Sequence, residues 1–131
     1  MVTDPIGDFI ITLKNAGAIK REVATIPYSK LKHAIAEKLK ERGFITAVEK
    51  KTTGAKSVLI VTLAYNDNGM HKIHDVKRLS KPGRRLYRKA TDAHNVRQGT
   101  GALILSTPRG ILTDAEARKV KAGGEALFEI W

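Results

Sequence analysis

Cysteine is absent from the 131 residues, which excludes disulfide frameworks, zinc ribbons and thiolate nucleophiles at once. That absence fits a reducing compartment. Long apolar runs are missing as well. The longest, Val58 to Ala64, is interrupted by Thr62 and is far too short to span a bilayer. No basic stretch leads from Met1 into an apolar segment, so no secretory signal is expected. These features predict a cytoplasmic protein with no membrane partner. Aromatic residues make up only 5% of the chain, so aliphatic side chains must fill whatever core the 42% of hydrophobic residues build. Acids are scarce too: 13 Asp and Glu face 24 Lys and Arg, leaving a net charge of +11. Such an excess implies a polyanionic partner, nucleic acid ahead of an anionic membrane surface.

Helix and turn signals divide the chain into two small modules. Asp4 and Pro5 suit the N-cap and first position of a helix, and Ile6, Phe9, Ile10 and Leu13 repeat at helical spacing towards a stop at Gly17. A short strand follows over Val23 to Ile26. Ser29 caps a second helix with Leu31, Ala34, Ile35 and Leu39 inward, ended by Gly43. Two strands, Phe44 to Glu49 and Ser57 to Tyr65, turn around Thr53-Gly54. Asn66-Asp67-Asn68-Gly69 is the clearest break, so the expected modules are residues 1–66 and 67–131. The first reads helix, strand, helix, strand, strand. The second reads as mostly β. Strands over Lys72 to Leu79 and Arg85 to Ala90 flank a type II turn at Pro82-Gly83, and a short helical turn falls within Thr91 to Val96. A buried strand, Ala102 to Thr107, turns at Pro108-Arg109-Gly110. Thr113-Asp114-Ala115-Glu116 has the form of a capping box opening a short helix, ended by Gly123-Gly124, before a last strand over Glu125 to Ile130. The fold class is α+β.

Catalytic patterns fail one by one. No Gly-rich loop precedes Lys and Ser or Thr in the phosphate-cradling order. Gly99-Thr100-Gly101 lacks a third glycine and opens a strand instead of a helix. His71 and His74, three apart in an expected strand, point to opposite faces and suit a surface better than one metal. Ser106 has no histidine near it in sequence, and the carboxylates Asp4, Asp8, Asp114 and Glu116 are explained by helix starts. Neither enzyme activity, nor a cofactor, nor a small-molecule substrate is expected.

The distribution of charge says more. Between Lys72 and Lys89 stand eight basic residues against the single acid Asp75. Two paired strands would carry them as a basic ribbon with Lys81, Arg84 and Arg85 at or beside its tip. Tyr87 lies among these cations, either as a stacking platform for an RNA base or as a core residue. Lys30, Lys32, Lys38, Lys40 and Arg42 on the second helix form another basic set, which is either a contact surface or a solvated face. Ser106 and Thr107, delivered by a buried strand and braced by a capped helix, offer hydroxyls that donate to and accept from base edges and 2′-hydroxyls.

The stretch from Ala102 to Lys119 resembles the C-terminal hallmark of the family of the eighth small-subunit ribosomal protein, in its bacterial form. That hallmark is an apolar strand, Ser-Thr, two residues, Gly, two aliphatics, then Thr-Asp and a helix rich in small residues. Asp4-Pro5-Ile6, Pro27-Tyr28-Ser29-Lys30-Leu31-Lys32, Gly43-Phe44-Ile45, Ser80-Lys81-Pro82-Gly83, Arg85-Leu86-Tyr87 and Gly123-Gly124-Glu125 extend the likeness in order along the whole chain. The resemblance implies binding to the central domain of small-subunit ribosomal RNA, support of its assembly, and neighbouring small-subunit proteins as further partners. It places the main contact on Ser106, Thr107, Tyr87, Gly123, Gly124 and Glu125, with additional contacts near Ser29, Lys30 and Lys56. Glu125 would accept from a base amino group or orient a basic neighbour. Pro108 stands where many bacterial members have a further serine, which removes any contact made by that hydroxyl. Off the ribosome a monomer is expected. Family members also repress translation of their own operon through an RNA element that mimics the ribosomal site. A regulatory RNA-binding protein acting outside the ribosome is the alternative, and co-sedimentation with small subunits separates the two.

Overall fold

The computed structural model describes residues 4–92, 96 and 100–131, which form two compact units. One comprises residues 8–74, the other residues 1–7 with 75–131. The first unit extends past Asn66 because the turn after it folds back on its own sheet. Tyr65 bridges His71, Lys72 N–H donates to Ala64 at 3.0 Å, and Asn66 N–H donates to Met70 at 2.8 Å. Gly69 takes a positive φ of 81° to close that turn.

In the first unit, helix α1 (Pro5–Ala18, belonging to this unit from Asp8) and helix α2 (Lys30–Glu41) accompany an antiparallel sheet. Its strands are β1 (Val23–Pro27), β2 (Ile45–Thr53) and β3 (Lys56–Leu63), in the order β1-β3-β2. The helical spacing of α1 buries Phe9, Ile10 and Leu13 to 1% exposure or less. In α2, Ile35, Ala36 and Leu39 are buried, whereas Leu31, in the first turn, is 40% exposed. Alternation in β3 buries Leu59, Val61 and Leu63. Gly17 does not stop α1. It sits inside the helix, where a Cβ would collide with the His71 ring. His71 is thus half-buried, its Nδ1 has no hydrogen-bond partner among the described residues, and burial together with the neighbouring His74 charge lowers its pKa. Neither histidine lies in a regular strand.

The second unit is one five-stranded antiparallel sheet with a short helix. Its strands are β4 (Val76–Arg78), β5 (Tyr87–Arg88), β6 (Ala102–Thr107), β7 (Gly110–Thr113) and β8 (Gly124–Ile130), with helix α3 (Asp114–Val120). The order is β4-β8-β6-β7, and β5 also pairs with β8. Ala102 to Leu105 and Ala126 to Phe128 supply its core, with Val96 and Ala117 packed beside them. Thr113 caps α3 through a complete capping box, as its sequence predicts. The helix ends earlier than Gly123: Lys121 takes the left-handed conformation, φ 57°, and its N–H returns to Ala117. A 3-10 turn covers Ala90–Asp92, and the rest of the helical turn expected up to Val96 lies outside the described residues, as does Gly99.

At its start the chain is tied into this unit. Asp4 accepts from Gly7 N–H at 3.1 Å and pairs with Arg78 Nε at 3.0 Å, and Arg78 donates a further bond to the Leu127 carbonyl. Burial alone would raise the Asp4 pKa. Hydrogen bonds from Arg78 and Gly7 together with the positive charges of Arg78 and Arg85 outweigh it and hold the carboxyl below its ordinary value.

Candidate nucleic-acid interface

The basic ribbon is built differently from the expected hairpin. Strands β4 and β5 do not pair with each other. Both lie along β8, Val76 to Arg78 opposite Ile130 to Phe128, and Tyr87 and Arg88 opposite Glu125 and Gly124. Leu79 and Ser80 N–H continue the ladder to Leu127 and Ala126 at 3.1 Å each, and Ala126 N–H donates to Leu86 at 2.8 Å. The segment is one edge strand interrupted by an excursion. Electrostatics explains the choice, because pairing two cationic strands would set like charges opposite one another. Along β8, Lys77 instead faces Glu129.

The excursion carries Lys81, Arg84 and Arg85, all exposed. Reciprocal bonds of 2.8 and 2.9 Å between the backbones of Lys81 and Arg84 close it. Gly83 does not take a positive φ, so the turn is not type II. Beneath it lies Ser80, with no exposed surface. Its hydroxyl donates to Glu125 Oε2 and accepts from Leu86 N–H at 3.3 Å. Arg85 Nη1 reaches the same Glu125 oxygen at 3.1 Å. The sequence names Ser80 only within the Ser80-Lys81-Pro82-Gly83 likeness and assigns it no role at the site.

Across the sheet the registers align Tyr87 with Glu125, and Glu125 with Ser106. Residues directly opposite in antiparallel strands project to one face, so Tyr87, Glu125 and Ser106 form a single row over β5, β8 and β6. Tyr87 is 68% exposed, which removes the core alternative. Beside it opens a cleft of about 500 Å³ lined by Tyr87, Arg88, Lys89, Ala90, Gly123 and Gly124. The two glycines are needed for close approach. A Cβ on Gly123 would stand 2.6 Å from the Arg88 carbonyl oxygen, and one on Gly124 would overlap that of Ser106.

The two hydroxyls of the hairpin are not equivalent. Thr107 Oγ1 donates to the Gly110 carbonyl at 2.8 Å and accepts from Arg109 N–H at 3.1 Å, around a Gly110 at φ 105°. It is a member of the turn rather than a free group. Ser106 Oγ has no hydrogen-bond partner among the described residues, and its residue is only half-buried.

Ser29, Lys30 and Lys56 belong to the first unit. Ser29 is the N-cap of α2, its Oγ accepting from Lys32 N–H at 3.0 Å. Tyr28 N–H donates to Ser57 at 3.1 Å, bringing the Ser29-Lys30 corner beside the Lys56 end of β3. Lys30 and Lys56 are exposed. Lys50, not anticipated, stands 4.2 Å over the Tyr28 ring, which meets His33 edge-on.

No cluster of His, Asp or Glu suited to a metal occurs among the described residues, and no described helix is long and apolar enough to cross a membrane. Fold and surface define a small basic α+β protein that displays cations, hydroxyls and an aromatic ring around one sheet. A family model for ribosomal protein S8 matches residues 4–131. The small ribosomal subunit proteins uS8 of Streptococcus equi subsp. zooepidemicus and Streptococcus pneumoniae are 44% identical to this chain, and that of Streptococcus pyogenes 43%. Each match covers all 131 residues here and 99% of the relative. The chain belongs to the ribosomal protein S8 family, whose members are ribosomal structural proteins and not enzymes.

Proposed function

We propose that this protein binds the central domain of small-subunit ribosomal RNA and supports its assembly, through the sheet face that carries Tyr87, Glu125 and Ser106. The observation that carries the proposal is that row. Three residues distant in sequence line up across three strands, flanked by the exposed cations Lys81, Arg84 and Arg85 and by the Gly123-Gly124 cleft. An aromatic platform, a paired carboxylate and an unpaired hydroxyl suit irregular RNA, whose unstacked bases and 2′-hydroxyls need both stacking and hydrogen bonding. Ser29, Lys30 and Lys56 add a second contact from the first unit. The protein works in the cytoplasm within the ribosome, beside other small-subunit proteins, and is monomeric before assembly. The same surface serves repression of its own operon where the messenger carries a matching RNA fold.

Footprinting on protein-free small-subunit RNA tests the site, and affinity measured over a salt series tests the chemistry. With about five phosphate contacts the log–log slope lies near roughly −4. A slope near zero, or no protected segment in the central domain, refutes the proposal.

A further inference from the structure

The second unit has another cationic cleft, formed by Lys89, Ala90, Thr91, Arg118 and Lys121, of about 490 Å³. It shares Lys89 and Ala90 with the Tyr87 cleft, so the two adjoin at these residues. Helix dipole stabilisation accounts for basic residues in the last turn of α3. It does not account for Lys89, which arrives from β5's side of the chain. Neither Lys89 nor Lys121 has an ion-pair partner among the described residues, and both are exposed. Arg118 forms a fixed wall: its Nη1 holds Asp114 Oδ2 at 3.2 Å, and Asp114, 2% exposed, also accepts from Leu103 N–H at 3.1 Å in β6. The Asp114 charge is thereby cancelled, and two ammonium groups with no ion-pair partner among the described residues remain at the rim. Ala90, the Thr91 methyl and the lysine stems contribute apolar surface.

We propose that this cleft takes one backbone phosphate of the bound RNA, held between Lys89 and Lys121, with its ribose against Ala90 and Thr91. A sugar–phosphate unit has the matching character, an apolar ring edge beside a localised negative charge. Adjacency to the Tyr87 cleft through Lys89 and Ala90 makes the occupant a nucleotide flanking the one at Tyr87. The assignment rests on the RNA-binding function proposed above.

The test uses Lys89→Met with Lys121→Met, which removes both charges, keeps unbranched side chains of nearly the same length and adds no strain at the positive φ of Lys121. Affinity of the folded double variant for central-domain RNA should fall about five- to eightfold at about 0.1 M salt, and the salt slope should flatten by about 0.7–0.9, the effect of one lost phosphate contact. Since the chain has no cysteine, Lys121→Cys provides a unique attachment point for an iron chelate, whose hydroxyl radicals should cut the RNA within a few nucleotides of one position. Unchanged affinity and slope in the double variant overturn the cleft alone, as does tethered iron that cuts nothing while the RNA stays bound. Failure of the unsubstituted protein to bind central-domain RNA overturns the function itself.

Discussion

Ser106 and Thr107 are adjacent hydroxyl residues at one strand end, yet removing their hydroxyls should have opposite consequences. Ser106→Ala deletes a group that bonds to nothing among the described residues, so the free protein should keep its stability. In the complex, an RNA donor or acceptor matched to that hydroxyl is left desolvated and unpaired. That costs about 1–3 kcal/mol, or roughly 5- to 150-fold in Kd. Thr107→Ala removes the 2.8 Å bond to Gly110 and the 3.1 Å bond from Arg109. At the lower net worth of half-exposed bonds, the turn should lose about 1–2 kcal/mol before any RNA is present. The Thr107 hydroxyl has spent its one donor on Gly110 and can offer RNA only an acceptor site, which suits a 2′-hydroxyl or base amino group and excludes a phosphate oxygen. Thr107→Ser, which keeps both turn bonds, should restore stability and binding together. Urea unfolding and equilibrium binding to cognate and scrambled RNA, at fixed salt, read all three variants. A folded Ser106→Ala protein with undiminished cognate affinity would falsify the assignment of Ser106 to recognition. A Thr107→Ala protein as stable as its parent would show the turn bonds to be dispensable.

Gly124→Ala should lower stability by about 2–4 kcal/mol in urea unfolding, because the new Cβ meets the Ser106 backbone, which has no rotamer with which to yield; an unchanged midpoint would contradict the close approach. Arg78→Met should cost about 2–4 kcal/mol at neutral pH, since it strips Asp4 and the Leu127 carbonyl of a partner whose side chain is 11% exposed. As the Asp4 pKa is lowered on folding, its stabilisation is complete above the unfolded value near 3.8 and disappears as pH falls through the lower folded value; the stability gap between parent and Asp4→Asn should therefore close only below about pH 4. Arg84→Ala, at the exposed tip of the excursion, should weaken binding to cognate and unrelated RNA by similar factors, because a phosphate contact carries little sequence information. Selective loss of the cognate site would reassign that arginine to base recognition.

Helices and caps were legible in the chain because their signals are local. The Thr113-Glu116 box, the Ser29 cap and the spacing of Phe9, Ile10 and Leu13 depend on residues three or four apart, and each element formed where those spacings put it. Features set by distant partners were misread. Lys72 to Leu79 and Arg85 to Ala90 have strand-forming composition, but β8 decides how much of each is strand, and it takes three residues of one and two of the other. Gly123-Gly124 looks like a helix stop from its neighbours, whereas Lys121 already ends α3 and the glycines admit the backbones of Arg88 and Ser106. Gly17 is the same case, excused from a cap by a histidine 54 positions away, His71. The candidate site was legible by residue type, and its row only by register.

Glu125 shows why charge alone does not describe this face. A bare carboxylate would repel the phosphates of a bound RNA, which the exposed Lys81, Arg84 and Arg85 would attract. Here Ser80 and Arg85 both donate to its Oε2, so the charge is offset and the side chain is held to 19% exposure. Orienting a basic neighbour is therefore realised in the free protein. A carboxylate has about four lone-pair sites, so a base amino group can still be accepted in the complex. The two uses are compatible because Ser80 is buried and cannot follow Arg85 if the guanidinium swings towards a phosphate. On the proposed function, sequence discrimination is expected where charge is cancelled, in the row of Tyr87, Glu125 and Ser106. On the same reading, salt-sensitive affinity is expected where cations have no ion-pair partner among the described residues, at Lys81, Arg84, Lys89 and Lys121.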